Sequence, residues 1–434
     1  MTKDGEHQSK LRFLLRSAAA LASTSLVTAG LGFVYWAFAA RVFPAAHVGE
    51  ASTAIAAMNL IAPLALLGMG TLLIAELPTI TDGRATLVST AALLTGLAAG
   101  AVAYGCAFGL PGDFLGLPGI SSITVASIFA AAVATQSIGL LLDQALLSLV
   151  GGGMQLRRNL IQAIAKLILL IVFALVLHRL GAIAIFVSWL LANVVSLIAV
   201  GFLLMRRFGI RFRTLLPAPK MLHGLHFDAA RHHVLNTALL VPFFAMPIVA
   251  NVVLGSEQAA YLYAAWSVAG FVFFLPLSLS TALFASGARD SGTFLMEFRK
   301  TLRYSFLACV AAIAVILLVG RFILGVFGTN YAAAGYTALV VLCLGGLGLI
   351  IKDHHVALAR VTDDVGREAL LVTALSIVEV FGAAYGALRG GLTGLTLGWL
   401  AAVSLGAVVY GPRVMRAYRG RVQVAVRTPE VLSP

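Results

Sequence analysis

The sequence predicts an all-α polytopic membrane protein, with twelve transmembrane helices in two six-helix lobes related by a pseudo-two-fold axis along the membrane normal. Three observations predict it. Of 434 residues, 60% are hydrophobic and only 11% charged, and mean hydropathy is +0.99. Soluble chains carry about 25% charged residues, so lipid is the solvent this composition fits. Twelve apolar runs approach or exceed the span of about 20 residues that crosses a hydrocarbon core. A polar stretch at 206–233 parts those runs six and six. Together these exclude a soluble enzyme, and the abundance of large apolar residues excludes a disordered chain.

The first run, roughly 17–40, follows Lys10, Arg12 and Arg16. Its rival reading is a secretory signal ending at Ala37-Phe38-Ala39, but signal cores run ~7 to 15 residues and this run is longer. Run 2 covers roughly 50–74, runs 3 and 4 cover 86–109 and 120–149, and runs 5 and 6 cover 160–177 and 183–205. Runs 7 to 12 cover 234–254, 260–286, 303–325, 335–351, 369–387 and 391–411. The domains expected are therefore an N-terminal lobe (1–205), a cytoplasmic linker (206–233), a C-terminal lobe (234–411) and a cytoplasmic tail (412–434). With the N-terminus inside, 25 of the 30 Lys and Arg fall on the inner side. Only Arg41, Arg179, Arg321 and Arg389 fall outside, and Lys166 lies within a span. The excess of Lys and Arg marks cytoplasmic loops, so both termini are expected there. The formal charge of +13 then reads as loops facing anionic membrane lipids and not as a nucleic-acid surface. Because each lobe has an even number of spans, both enter from the same side and the repeats are parallel. A weak internal echo agrees, with Pro63–Leu66 and Pro276–Leu279 at matching places.

No cofactor or metal is expected. Cys106, Cys309 and Cys343 sit inside apolar runs, where a thiol packs as a small hydrophobe. No phosphate-binding Gly-x-x-x-x-Gly-Lys loop occurs. The pairs His223/His226, His232/His233 and His354/His355 fall in expected cytoplasmic loops and read as surface or headgroup histidines, since zinc wants four ligands. Gly-x-x-x-Gly recurs at 96–100, 105–109, 382–386 and 394–398, a pattern that lets helices approach closely.

The segment Gly30–Pro78 carries Ala40-Arg41 at the end of span 1, a short turn with Pro44, Val48-Gly49 opening span 2, and Leu67-Gly68-Met69-Gly70 before Leu77-Pro78. It resembles the N-terminal region of polysaccharide-transporter flippases of the multidrug, oligosaccharidyl-lipid and polysaccharide exporter superfamily. The close match covers about one eighth of the chain; the two sets of six spans agree over all of it. The resemblance implies a cavity lined mainly by spans 1, 2, 7 and 8, and alternating access for a lipid-linked oligosaccharide in a bacterial cytoplasmic membrane. It also implies polysaccharide-assembly proteins as partners. Flippases of lipid pyrophosphates often carry several cations in the cavity-lining spans, whereas these four carry none at mid-depth. The polar candidates there are Asn59, Asn236 and Ser267, with the aromatic group Tyr35, Trp36, Tyr261, Tyr263 and Trp266. Arg16 and Arg41, near the inner and outer mouths, either grip phosphate through paired guanidinium hydrogen bonds or anchor the helix at the interface.

Ionisable residues inside spans are functional hypotheses by default. Asp143 in span 4 and Lys166 in span 5 each lie 11.5 positions from a turn centred near residue 154.5. Equal depth predicts an ion pair, either structural or part of proton or substrate coupling. Glu379, near the middle of span 11, has no base at matching depth in its own hairpin. It reads either as a cation or proton site or as a protonated carboxyl hydrogen-bonded to a neighbouring Ser or Thr. The leading function is thus a flippase of lipid-linked oligosaccharide. The alternatives are a cation-coupled drug or metabolite exporter of the same superfamily, which commonly carries acidic residues in spans 1 and 7, and a membrane-embedded polymerase. The polymerase would need ionisable groups on substantial outer loops, and the loops here are short.

Overall fold

The structure, a computed structural model, describes residues 27–66, 68–80, 82–209, 212–218, 230–287, 291–362 and 365–422. Arg16, His223, His226, the middle of the 206–233 linker and the end of the tail lie outside the described residues. Among those described, the chain is helical and contains no strand. Run 1 is α1 (Val27–Val42) over its described part, and run 2 is α2 (Ala45–Leu64) with α3 (Met69–Glu76). Run 3 is α4 (Arg84–Gly109), followed by the four-residue α5 (Gly112–Leu115). Runs 4 to 6 are α6 (Ile123–Val150), α7 (Gly152–Val176) and α8 (Ala182–Phe208). Runs 7 to 10 are α9 (Ala230–Leu254), α10 (Ser256–Gly287), α11 (Ser291–Gly325) and α12 (Thr329–Val361). Runs 11 and 12 share one helical stretch, α13 (Val365–Tyr418).

Leu318, Phe322 and Leu175 are each at least 80% exposed, and these large apolar side chains make sense only against lipid. A straight helix of 54 residues would be about 81 Å long, more than twice the hydrocarbon thickness. Gly390 and Gly391 break it, Gly391 at φ 59° and ψ −144°, a conformation that side chains bearing a Cβ avoid. The two halves of α13 then fold back on each other through the paired Gly-x-x-x-Gly motifs. A Cβ on Gly386 would run into the carbonyl of Gly394, and one on Gly398 into the carbonyl of Gly382. At Gly105 and Gly109 the same motif faces open space. Gly386→Ala is therefore expected to cost about 1 to 3 kcal/mol of stability through overpacking, and Gly105→Ala close to nothing. Thermal unfolding of the two purified variants checks the contrast.

Two compact units divide the chain: residues up to 233 together with 243–260, and residues 234–242 together with 261 onwards. The first takes in the α9–α10 turn because that turn is bonded to it. Thr53 donates to the carbonyl of Pro247, Asn251 Nδ2 donates to that of Asp113 at 2.7 Å, and Gly49 lies against the Ser256 carbonyl where a side chain would clash. The family-like segment gains physical reasons here. Gly49 admits that backbone, Gly68 (φ 82°) turns the chain from α2 into α3, and a Cβ on Gly70 would meet the Gln144 side chain.

Candidate functional site

In the first unit, α7 and α8 run antiparallel and present two side chains each, four residues apart and so on one helix face. Lys166 lies over Trp189, with Nζ 4.0 Å from the ring centroid, and one turn away Gln162 Nε2 donates to Asn193 Oδ1 at 2.8 Å. The residue numbers of the two pairs sum to the same value, as antiparallel register requires. From there the amides continue: Asn193 Nδ2 donates to Gln136 Oε1, and Gln136 Nε2 to Asn59 Oδ1, both at 2.9 Å. Four helices, α2, α6, α7 and α8, are thus tied by one relay of carboxamides whose Asn59 amide N–H groups remain as donors at its end.

The aromatic side of the site is fixed by Tyr35, whose hydroxyl donates to the Ile185 carbonyl at 3.0 Å and lies 2.9 Å from Ser188 Oγ. Its ring stands edge-on to Trp36 and Trp189, and Lys166 Nζ is 5.4 Å from its centroid. Lys166 is 6% exposed, and among the described residues no carboxylate comes within ion-pair distance of it. Trp189 Nε1 is a second buried donor in the cluster without an acceptor. Burying an ammonium at mid-membrane costs about 2.5 to 3.5 kcal/mol on insertion scales, and cation–π contact returns about 0.5 to 2. The remainder is what an anion brought to this place would offset.

The expected Asp143–Lys166 pair does not form. Asp143 is gripped instead by Arg158, Nε to Oδ1 and Nη2 to Oδ2 each at 2.5 Å, with Asn159 Oδ1 accepting from the same guanidinium. The reason is the turn. It is not the loop 151–158 but the single residue Gly151, at φ 79°, between α6 and α7. Reflecting position 143 about 151 gives 159, beside Arg158, and leaves Lys166 deeper.

Glu379 is likewise not alone: Lys352 Nζ lies 2.7 Å from its Oε1, both side chains almost fully buried. Span 10 was expected to end at 351, but α12 continues unbroken to Val361 and carries Lys352, Asp353, His354 and His355 inside the fold. His354 and His355 are 0% and 2% exposed, so they are core residues and not loop histidines. His233 lies in the first turn of α9.

The remaining site residues are dispersed. Arg41 is exposed in the last turn of α1. Asn236 is exposed and accepts from Arg360 Nη2 at 2.7 Å. Tyr261 is buried edge-on against Tyr331, with centroids 5.0 Å apart, and Trp266 packs against Trp399 at 5.2 Å. Ser267 turns back to the Tyr263 carbonyl. Of the described substrate-binding candidates only Asn59 joins the polar relay. Gln136, Gln162, Trp189 and Asn193 were missed because uncharged amides and a tryptophan in an apolar run carry little signal alone. The i, i+4 echo of Gln162/Lys166 in Trp189/Asn193 was the signal available. Elsewhere in the unit a cavity of ≈ 470 Å³ is lined by Glu50, Asp113, Ser121, Asn251 and Ser256, acids, hydroxyls and an amide without a cation. Its lining is unsuited to an anion. Among the described residues no group of three His, Cys, Asp or Glu is placed to hold a metal.

No family model matches the sequence, and no curated protein matches it. Solved structures do. An inward-facing multidrug resistance transporter of the MATE family, MOP superfamily, aligns over 91% of this chain and 96% of its own at TM-score 0.69 and 16% identity. An outward-facing MATE-family structure aligns over 93% and 96% at TM-score 0.61 and 16% identity. A MOP-superfamily transporter from Pyrococcus furiosus, described as having a binding pocket of reversed polarity that suggests a different function, aligns over 92% and 96% at TM-score 0.62 and 15% identity. At these identities the likeness shows the fold.

Proposed function

We propose that the chain is a secondary transporter working by alternating access, not an enzyme, and that it carries a lipid-linked oligosaccharide with an anionic phosphate-type headgroup across a bacterial cytoplasmic membrane. The observation that carries this is Lys166, a buried ammonium without a carboxylate at ion-pair distance among the described residues, set among aromatic rings and a relay of amides. Ammonium and indole N–H donate to phosphate oxygens, the ring faces suit the apolar or sugar parts of an amphiphile, and the amides suit hydroxyls. The likeness of Gly30–Pro78 to polysaccharide flippases, and a fold shared with transporters, support the same reading.

A second reading, drug export, draws on the multidrug transporters among the structural neighbours. Against it, the membrane-depth carboxylates Asp143 and Glu379 are each neutralised by a base, Asp143 by Arg158 and Glu379 by Lys352. A cationic drug reaching the first unit would meet Lys166. Reversed pocket polarity, described for the Pyrococcus furiosus protein, is the arrangement proposed for this chain. The test is a proteoliposome assay in which a fluorescent polyprenyl-pyrophosphate oligosaccharide starts in one leaflet and a membrane-impermeant quencher reports its arrival in the other. Protein-dependent arrival is expected. Equal rates in protein-free vesicles would overturn the flippase reading.

A further inference from the structure

The ≈ 470 Å³ cavity lies wholly in the first unit and shares no lining residue with the Lys166 site. Three chain segments wall it: the first turns of α2, the loop that carries α5 and leads into α6, and the turn from α9 to α10. The Lys and Arg count places all three on the outer side. The walls are bonded to one another, so the cavity is preformed. Asn251 Nδ2 donates to the Asp113 carbonyl at 2.7 Å and joins turn to loop. Gly116, at φ 69°, lies so close to α2 that a Cβ there would meet the Glu50 carbonyl and the Thr53 side chain. The polar lining is rich in acceptors: carboxylates from Glu50 and Asp113, hydroxyls from Ser121 and Ser256, and the Asn251 amide. Asn251 is 8% exposed, and with Nδ2 committed to Asp113 its Oδ1 is buried without a hydrogen-bond partner. Leaving such an acceptor unmet is costly, and a donor on a ligand relieves it.

We propose that this cavity is a neutral-sugar subsite, which binds pyranose rings of the carried glycan through their hydroxyls; the inference rests on the flippase reading of the substrate. A pyranose presents neighbouring hydroxyls, each able to donate one hydrogen and to accept in return. The two carboxylates and Asn251 Oδ1 accept those hydrogens, and the serine hydroxyls donate or accept. Val252, 37% exposed on the same lining, offers apolar surface to the C–H face of a ring. The volume falls within the range of small-molecule sites, about 300 to 1,000 Å³. Charge at Lys166 then holds the headgroup, and hydroxyl recognition at the outer end of the same unit holds the uncharged sugars.

Other occupants fit this lining less well. An anion meets two carboxylates and no cation. A calcium-like cation needs about six to eight oxygens at about 2.3 to 2.6 Å. Here one Glu50 oxygen already faces His47 Nδ1 at 3.1 Å, and among the described residues no group of three His, Cys, Asp or Glu is placed to hold a metal. The space is also far larger than a bare ion fills, and its hydroxyls add donors that a cation cannot use.

The experiment is protection from thiol labelling. Ser121→Cys in a Cys106→Ala background puts a reactive thiol on the cavity wall, while Cys309 and Cys343 are 1% and 0% exposed. The protein is held in lipid nanodiscs, so that no glycoside detergent competes. Neutral trisaccharides of glucose, galactose and mannose are offered in turn at millimolar concentration, alongside inorganic pyrophosphate, calcium chloride and spermidine. At least one saccharide is expected to slow labelling several-fold, and pyrophosphate to have no effect. Asp113→Ala on the same reporter is expected to raise the sugar concentration needed by about tenfold or more, the loss of one charge-assisted hydrogen bond. Asp113 is exposed and its bond to Asn251 uses the backbone carbonyl, so this variant keeps the cavity wall. No protection by any saccharide, undiminished protection in Asp113→Ala, or protection by calcium or spermidine in place of sugar would overturn the inference. Because the assay needs neither lipid nor transport, the two readings separate. Protection without protein-dependent flipping removes the flippase reading and leaves a sugar site, and flipping without protection removes the sugar subsite alone.

Discussion

Lys166→Met is expected to abolish most transport while making the protein more stable. The functional loss follows from the strength of a charge-assisted hydrogen bond, about 1.5 to 3 kcal/mol, or a ten- to hundredfold fall in affinity for an anionic headgroup. The stability gain follows from the same burial. An ammonium costs about 2.5 to 3.5 kcal/mol in the membrane interior, and the Tyr35 and Trp189 faces return only part of it, so an isosteric thioether is favoured by about 1 kcal/mol. A residue that helps function and harms stability is carrying out a task. Transport rate and unfolding temperature, measured on the same preparation, check both halves. Met with unchanged transport would return Lys166 to a packing role.

The second large effect concerns Asp143 and Arg158. The guanidinium makes two hydrogen bonds to the carboxylate, and both side chains are at most 10% exposed. Removing either partner leaves a buried charge without its counter-ion, which costs about 3 to 5 kcal/mol, whereas removing both strands neither. Asp143→Ala and Arg158→Ala are each expected to reduce folded yield in detergent severely, and the double variant to recover much of it. By contrast, Asp143→Ala and Lys166→Ala should add, because those side chains do not meet. Additive losses for Asp143 with Arg158 would contradict the geometry.

Comparing the two cases shows what the sequence makes legible. Spans were readable because lipid demands long apolar runs, and every described run is helical. Partnerships across a hairpin depend on where the turn falls, and a shift of the turn from 154.5 to Gly151 moves the partner of Asp143 by about seven residues, two turns of helix. Hydropathy cannot locate that turn, since Gly151, Gly152 and Gly153 are equally permissive by composition. Lys352 escaped for the opposite reason: its charge, with Asp353 and two histidines, ended the apolar run at 351, while internal pairing lets α12 continue to Val361. The amide relay of Asn59, Gln136, Gln162 and Asn193 lies on four helices, and no local pattern joins residues that meet only in the packed unit. The Gly-x-x-x-Gly motif was correctly read as packing at 382–386 and 394–398, where the helices touch through it, and carries no contact at 105–109.

The most direct measurement of the central claim is the sign of the charge the protein accepts. In proteoliposomes offered a polyprenyl-pyrophosphate oligosaccharide and a lipophilic cationic dye together, wild type is expected to translocate the anionic lipid and leave the dye. In Lys166→Glu the lipid should be refused. Efflux of the cationic dye by wild type, at a rate Lys166→Glu does not alter, would contradict the account.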